Sequence, residues 1–237
     1  MIYNHVLRLL RFRYFLLHTF RTIFSISAQI VDKNVKTWAK YERYAQANRE
    51  LKGVPDVVFI GNSITDFWGK KMPDFFCDNN YVGRGISGQT TDQILSRFQQ
   101  DVVELHPKFV VILAGINDIA QNNGPISNEN ILNNIKSMCD VARVNGIKPV
   151  LCSILPCDYF VWRKDLEPAP IVVETNKLIR AYASSMKFPY VDYYSAMATN
   201  SGALKPEYTS DRCHPNEEGY KVMTSVIQKV LKSLIIK

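Results

Sequence analysis

Cysteine and histidine are scarce in this chain, five and four in 237 residues. Cys77, Cys139, Cys152, Cys157 and Cys213 form no C-x-x-C pair, and no histidines cluster at zinc-ligand spacing. Neither a metal module nor a redox dithiol is therefore indicated. The odd cysteine count leaves a thiol unpaired in a monomer, which argues against a disulfide-built fold. Long apolar runs are missing too: stretches such as Tyr14 to Phe20 are too short to span a bilayer. The formal net charge is +7, yet Arg8, Arg11, Arg13 and Arg21 supply four of those charges before the first acid, Asp32. The remaining +3 is scattered among acids, with no basic stripe interleaved with aromatics, so no nucleic-acid partner is expected. Repeats and low-complexity segments are absent as well. With 46% hydrophobic and 22% charged residues, what is left is the composition of an ordinary globular domain with a sizeable core.

Residues 1–31 differ from the rest. Basic residues, apolar stretches and then Ser25-Ile26-Ser27-Ala28-Gln29 resemble a signal peptide, although Arg21 interrupts the apolar part. Export to the periplasm or medium is the expectation. A basic amphipathic anchor or an overlong translated start are the alternatives, and a cytoplasmic location follows if the segment is no signal.

From residue 32 to 237 the pattern is that of one α/β domain. Val57-Val58-Phe59-Ile60 and Phe109 to Leu113 read as fully buried strands. Tyr81-Val82, Pro149 to Ile154 and Pro189 to Asp192 supply three more. Helices are expected over 33–51, from Ile64 onward, from Thr90 or Thr91, around Ile131 to Ala142, over 171–186 and through Tyr220 to Leu234. The stretch from Trp68 to Phe76 reads as irregular. Strands alternating with helices imply parallel crossovers and a sheet covered on both faces. The expected strand order is 2-1-3-4-5, with ligands bound at the carboxyl edge near the reversal of strand order.

Four residues, each after a different strand or loop, converge on that edge: Ser63, Gly85, Asn117 and His214. Ser63 breaks a buried strand where a helix can start. Alone it reads as a helix N-cap, but the same turn also exposes nucleophilic serines beside free N–H groups. Asp211 and His214 are three apart, so on a helical turn they share a face. The carboxylate could fix the imidazole tautomer while the other ring nitrogen takes the Ser63 proton. Separately, Asp211 reads as a turn or cap and His214 as a satisfied surface histidine; the joint pattern lifts both. The Gly85 and Ser63 N–H groups and the Asn117 amide would offer three donors to a tetrahedral intermediate. Asp66 and Asp118 read as caps or loop fasteners. Gly83 to Gly88 could cradle phosphate, but lacks the Walker lysine and the dinucleotide glycine spacing.

These residues lie in four blocks: G-N-S-I-T-D, G-R-G-I-S-G, G-I-N-D and D-R-C-H-P-N. In this order, over about residues 55–236, they resemble the GDSL/SGNH hydrolases. The resemblance implies a flavodoxin-like three-layer α/β/α sandwich with a five-stranded parallel sheet, and ester hydrolysis without a cofactor. It implies Ser63 as nucleophile, Asp211 and His214 as its partners, and Ser63, Gly85 and Asn117 as the oxyanion hole. Asn62 replaces the Asp of the name motif, Ile64 its Leu, and Gly83 stands where related sequences often have Asn. The resemblance runs closest to bacterial acetylhydrolase-like members, including those grouped with platelet-activating-factor acetylhydrolases and with sialate or carbohydrate O-acetylesterases. The expectation is a serine esterase acting on a small acyl ester, acetyl on carbohydrate first. Tyr159, Phe160 and Trp162 are expected to line the substrate cleft; packing over a sheet edge is the alternative. A lysophospholipase or thioesterase is the rival within the enzyme class. A catalytically silent glycan-binding module or a flavodoxin-like electron carrier are rivals outside it.

Overall fold

The computed structural model describes residues 37–235. The opening segment 1–31, expected to be a leader or anchor, lies outside the described residues. The unit that carries the fold begins at Trp38. Five parallel strands form its sheet: β1 (Val57–Gly61), β2 (Tyr81–Gly85), β3 (Phe109–Leu113), β4 (Lys148–Cys152) and β5 (Tyr190–Val191). Their order is β2-β1-β3-β4-β5, as expected from the sequence. Val57 pairs with both Tyr81 and Phe109, and Gly61 with both Gly85 and Leu113. β1 and β3 are buried along their whole length, because helices cover both faces of the sheet.

Ten α-helices are described: α1 (Ala45–Arg49), α2 (Ser63–Lys71), α3 (Pro73–Cys77), α4 (Thr91–Ser96), α5 (Phe98–Asp101), α6 (Ile116–Ile119), α7 (Asn128–Val144), α8 (Pro168–Met186), α9 (Tyr193–Met197) and α10 (Glu217–Ile235). α2, α9 and α10 form one layer, and α4, α7 and α8 the other. α7 shows why the long helices form. Ser127 caps its start, accepting from the Asn130 N–H. Ile131, Leu132, Ile135, Met138, Cys139 and Ala142 then recur at three- and four-residue spacing and are all buried. Asn145-Gly146 ends it, with Gly146 at φ 75°, a left-handed conformation that glycine adopts at little cost.

The structure corrects several expected boundaries. The helix expected over 33–51 is, in its described part, a turn, a 3-10 turn at Tyr41–Arg43 and the short α1, with no buried residue in either helical piece. A segment that buries no apolar face gains little from packing, and packing is what sustains most helices in proteins. The aromatic stretch read as irregular is the end of α2 followed by α3, whose Phe75 and Phe76 are buried around Phe59 of β1. β2 continues through Gly83 and Gly85, with the Phe76 ring covering Gly83. α8 starts at Pro168 rather than 171, a position that suits proline because the first helical N–H needs no partner.

Candidate active site

The turn after β1 is built by close approach. A Cβ on Gly61 would stand 2.5 Å from the Leu113 carbonyl oxygen and 2.4 Å from the Thr65 hydroxyl. Asn62, not Ser63, caps α2: its side-chain oxygen accepts from the Ile64 N–H at 3.1 Å. Ser63 is therefore the first residue of α2, where backbone N–H groups have no helical acceptor. Its Oγ lies 2.9 Å from Nε2 of His214. Nδ1 of His214 lies 2.7 Å from an Asp211 carboxylate oxygen. The three side chains thus make one continuous hydrogen-bonded chain at the carboxyl edge of the sheet.

Asp211 and His214 do not share a helical turn. Arg212 between them is left-handed at φ 68°, and the loop is shaped instead by hydrogen bonds to side chains. Thr209 Oγ1 accepts from the N–H of Asp211 at 3.2 Å and of Arg212 at 3.0 Å, and donates to the His214 carbonyl at 2.8 Å. The Asp211 carboxylate accepts from the N–H groups of His214 at 2.7 Å and Cys213 at 3.0 Å. Partial burial raises the pKa of Asp211, but the bonds from the His214 backbone and ring and from Cys213 outweigh it. The carboxyl is held below its ordinary value. It stays ionised and aimed at the imidazole.

Asn117 opens on the same edge, in α6 just after β3, and is buried. Its Nδ2 donates to the Gln89 carbonyl at 2.9 Å and its Oδ1 accepts from Asn122 Nδ2 at 3.0 Å. These bonds fix which end is nitrogen and leave one N–H for a substrate oxygen. Gly85 behaves otherwise. It is the buried last residue of β2, and a Cβ there would stand 2.2 Å from the Asp66 nitrogen and 2.6 Å from the Thr65 carbonyl carbon. Packing of β2 against α2 alone explains this glycine. In the same loop Gly88 is exposed, sits at φ 84°, and its N–H has no acceptor among the described residues. The Gly88 carbonyl accepts from Asn122 Nδ2 at 3.3 Å, beside the residue whose carbonyl holds Asn117. The Gly88 N–H is thus a further donor in this loop, one that the sequence pattern does not single out.

Asp66 and Asp118 are fasteners. Asp66 accepts from Ser87 at 2.9 Å and pairs with Lys70 at 2.8 Å. Asp118 accepts from the Thr91 hydroxyl at 2.6 Å and N–H at 2.9 Å, tying α4 to α6. Burial nevertheless pushes Asp118 up to about 7 against those two bonds.

Of the three loop aromatics, Phe160 is fully buried. It lines no cleft; it lies under Trp162, with ring centroids 5.0 Å apart. Trp162 is exposed and its ring is 6.1 Å from that of His214. Phe67 approaches the same imidazole at 5.6 Å. Tyr159 is covered by the Arg212 guanidinium, 5.0 Å from its ring centre, while Arg212 also pairs with Asp158. This pairing joins the aromatic loop to the His214 loop. Among the described residues no group of three or more His, Cys, Asp or Glu could hold a metal ion, and no helix is long and apolar enough to cross a membrane.

The model of the GDSL-like lipase/acylhydrolase family matches residues 59–222, a span holding Ser63, Gly88, Asn117, Asp211 and His214. The chain belongs to this family. A GDSL-like lipase of Bacteroides thetaiotaomicron of known structure is 43% identical, over 84% of this chain and 100% of that one, with a TM-score of 0.81. An acetyl xylan esterase, 19% identical over 73% of this chain and 98% of its own, shares the fold with a TM-score of 0.60. An N-acylneuraminate cytidylyltransferase of Escherichia coli is 26% identical over 194 residues, 81% of this chain and 44% of that one. The chain spans about half the length of the curated relatives it matches. Within this family the chain is an α/β protein whose four sequence blocks meet at one sheet edge.

Proposed function

We propose that the chain is a serine esterase that hydrolyses small acyl esters, foremost acetyl groups on carbohydrate. The observation that carries this reading is the unbroken chain from Ser63 Oγ through the His214 ring to Asp211, at 2.9 and 2.7 Å. His214 takes the Ser63 proton as Oγ attacks the ester carbonyl. Asp211, ionised, holds the ring in the tautomer that accepts at Nε2 and stabilises the imidazolium that forms. The N–H groups of Ser63 and Gly88 and the Asn117 amide receive the oxyanion, Gly88 taking the part first given to Gly85. The intermediate collapses, His214 returns the proton to the leaving alcohol, and water then frees the acyl group by the same steps. The acetyl preference draws support from the fold shared with an acetyl xylan esterase, and the carbohydrate preference from the exposed indole beside His214.

The test is fluorophosphonate labelling of the wild type and Ser63→Ala, with hydrolysis measured on p-nitrophenyl esters from acetyl to dodecanoyl and on acetylated sugars. Labelling lost only in Ser63→Ala, with acetyl turned over fastest, is the expected result. Activity that climbs with chain length would shift the reading to a lysophospholipase or thioesterase. No labelling at all would leave a silent glycan-binding module.

A further inference from the structure

Two of the three tryptophans are exposed, Trp38 at 50% and Trp162 at 41%, while Trp68 is buried. Each exposed indole has its polar edge tied down. Trp162 Nε1 donates to Asn122 Oδ1 at 3.2 Å, and Trp38 Nε1 to Asn123 Oδ1 at 3.4 Å. The two anchors are consecutive residues, so both indoles hang from one short loop. That loop is itself fixed to the site. Asn122 Nδ2 reaches Asn117 at 3.0 Å and Gly88 at 3.3 Å, and Asn123 Nδ2 reaches Asp92 at 2.9 Å. The Trp38 carbonyl accepts from Gln93 Nε2 at 2.9 Å, and Trp162 rests on Phe160.

An indole whose N–H is already satisfied offers a new partner mainly its apolar ring surface, at little entropic cost because the ring is held in place. An acyl chain gains most from a continuous aliphatic channel. The surface here is two aromatic plates beside the side-chain amides of Asn122 and Asn123. It suits rings that carry C–H groups on their faces and hydroxyls on their rims. We propose that Trp38 and Trp162 form a two-indole platform for the sugar rings of an acylated oligosaccharide, so that they set the preference for carbohydrate esters over simple ones. The proposal rests on the esterase reading above and adds the part of the substrate beyond the acyl group.

Two measurements on the full chain separate the proposal from that reading. The first compares kcat/KM on acetylated xylo-oligosaccharides with kcat/KM on p-nitrophenyl acetate. Trp38→Ala and Trp162→Ala should each lower this ratio about tenfold, equivalent to about 1.4 kcal/mol, through KM on the oligosaccharide, with Trp38→Phe recovering most of it. The second needs no turnover. Unacetylated xylo-oligosaccharide should shift the tryptophan fluorescence of the Ser63→Ala chain saturably, and the shift should vanish when Trp38 and Trp162 are both replaced, leaving Trp68 as background. An unchanged ratio in Trp38→Ala, with labelling of Ser63 intact, would overturn the platform and leave the esterase standing. A fluorescence shift with decanoate and none with the oligosaccharide would overturn it in favour of an acyl-chain surface.

Discussion

Asn117 shows how much a single side chain is asked to do. Its oxygen and one N–H are committed to Asn122 and Gln89, so the remaining N–H is aimed before substrate arrives. A preorganised donor acts on charge that develops in the transition state, and removing one typically costs about 10²–10³ in kcat. Asn117→Ala should therefore lower kcat on an acetyl ester by about that factor with little change in KM, while Asn117→Asp should be at least as harmful. A raised KM with kcat retained would make Asn117 a substrate-binding residue instead. Thiol chemistry is also decided residue by residue. Cys77 is exposed and the other four cysteines are buried. Cys213 adjoins His214 in the chain, so a bulky reagent on its thiol would block the site. In the structure its interaction with the Cys157 side chain, and then burial, push its thiol well up, and a buried protonated thiol reacts slowly. Native protein should thus release one fast equivalent with Ellman's reagent while keeping its activity; rapid inactivation matched to a second equivalent would refute this. The convergence of Ser63, Asn117, Asp211 and His214 on one sheet edge was legible in the sequence because their residue types and positions after strands form a recognisable pattern. The close packing of Gly85 against α2 and the unbonded N–H of Gly88 were not legible there, since glycines kept for packing and glycines kept for backbone conformation look alike until packed.

At the scale of elements, the loops of the site hang on buried contacts that no motif announces. Arg97, fully buried, pairs with Asp101 at 2.9 Å, donates to Gln89 Oε1 at 2.6 Å and reaches the Gly61 carbonyl at 3.0 Å. It therefore ties α4 and α5 to the end of β1 and to the loop of Gly88. Removing one partner of a buried pair leaves a charge without compensation, at a cost of about 3–5 kcal/mol. Arg97→Met should lose stability of that order in urea unfolding, with Arg97→Met/Asp101→Leu recovering part of it; equal losses would mean that the pair itself carries no special weight. Asp118 joins α4 to α6 and adds a pH signature. Its folded pKa, about 7, lies above the ordinary value of 3.8, so folding favours the protonated form. Its contribution is complete below about pH 4, is lost as pH rises toward 7, and is flat above. The melting temperature of wild type relative to Asp118→Asn should fall over that window, and a constant difference would show that Asp118 does not titrate there. β1 and β3 were readable as elements because burial on both faces demands unbroken apolar runs, and α7 because its stripe is periodic. α3 and α9 are five residues each, too short for a period to show, and the polar run before α1 imitates a helix without a face to bury.

Over the whole molecule, strand order does what no local pattern can. β1 and β3 lie side by side at the centre of the sheet, which brings Ser63, Gly88 and Asn117 to one edge from positions 63, 88 and 117. α10 packs beside α2, which holds the loop carrying His214 against the same edge. The hydrophobic core formed by the described residues runs from Val57 to Leu231, and the family match falls within nearly the same limits, 59–222. That agreement sets the last prediction. A fold whose sheet, covering helices and site all arise after Trp38 should not need residues 1–31 to reach its native state. A chain beginning at residue 32 should melt within about 4 °C of the full chain, a shift that corresponds to roughly 1 kcal/mol for a domain of this size. It should also keep its kcat/KM on p-nitrophenyl acetate. A larger drop in melting temperature, or retained folding with lost turnover, would give the opening segment a structural or catalytic part beyond export or anchoring.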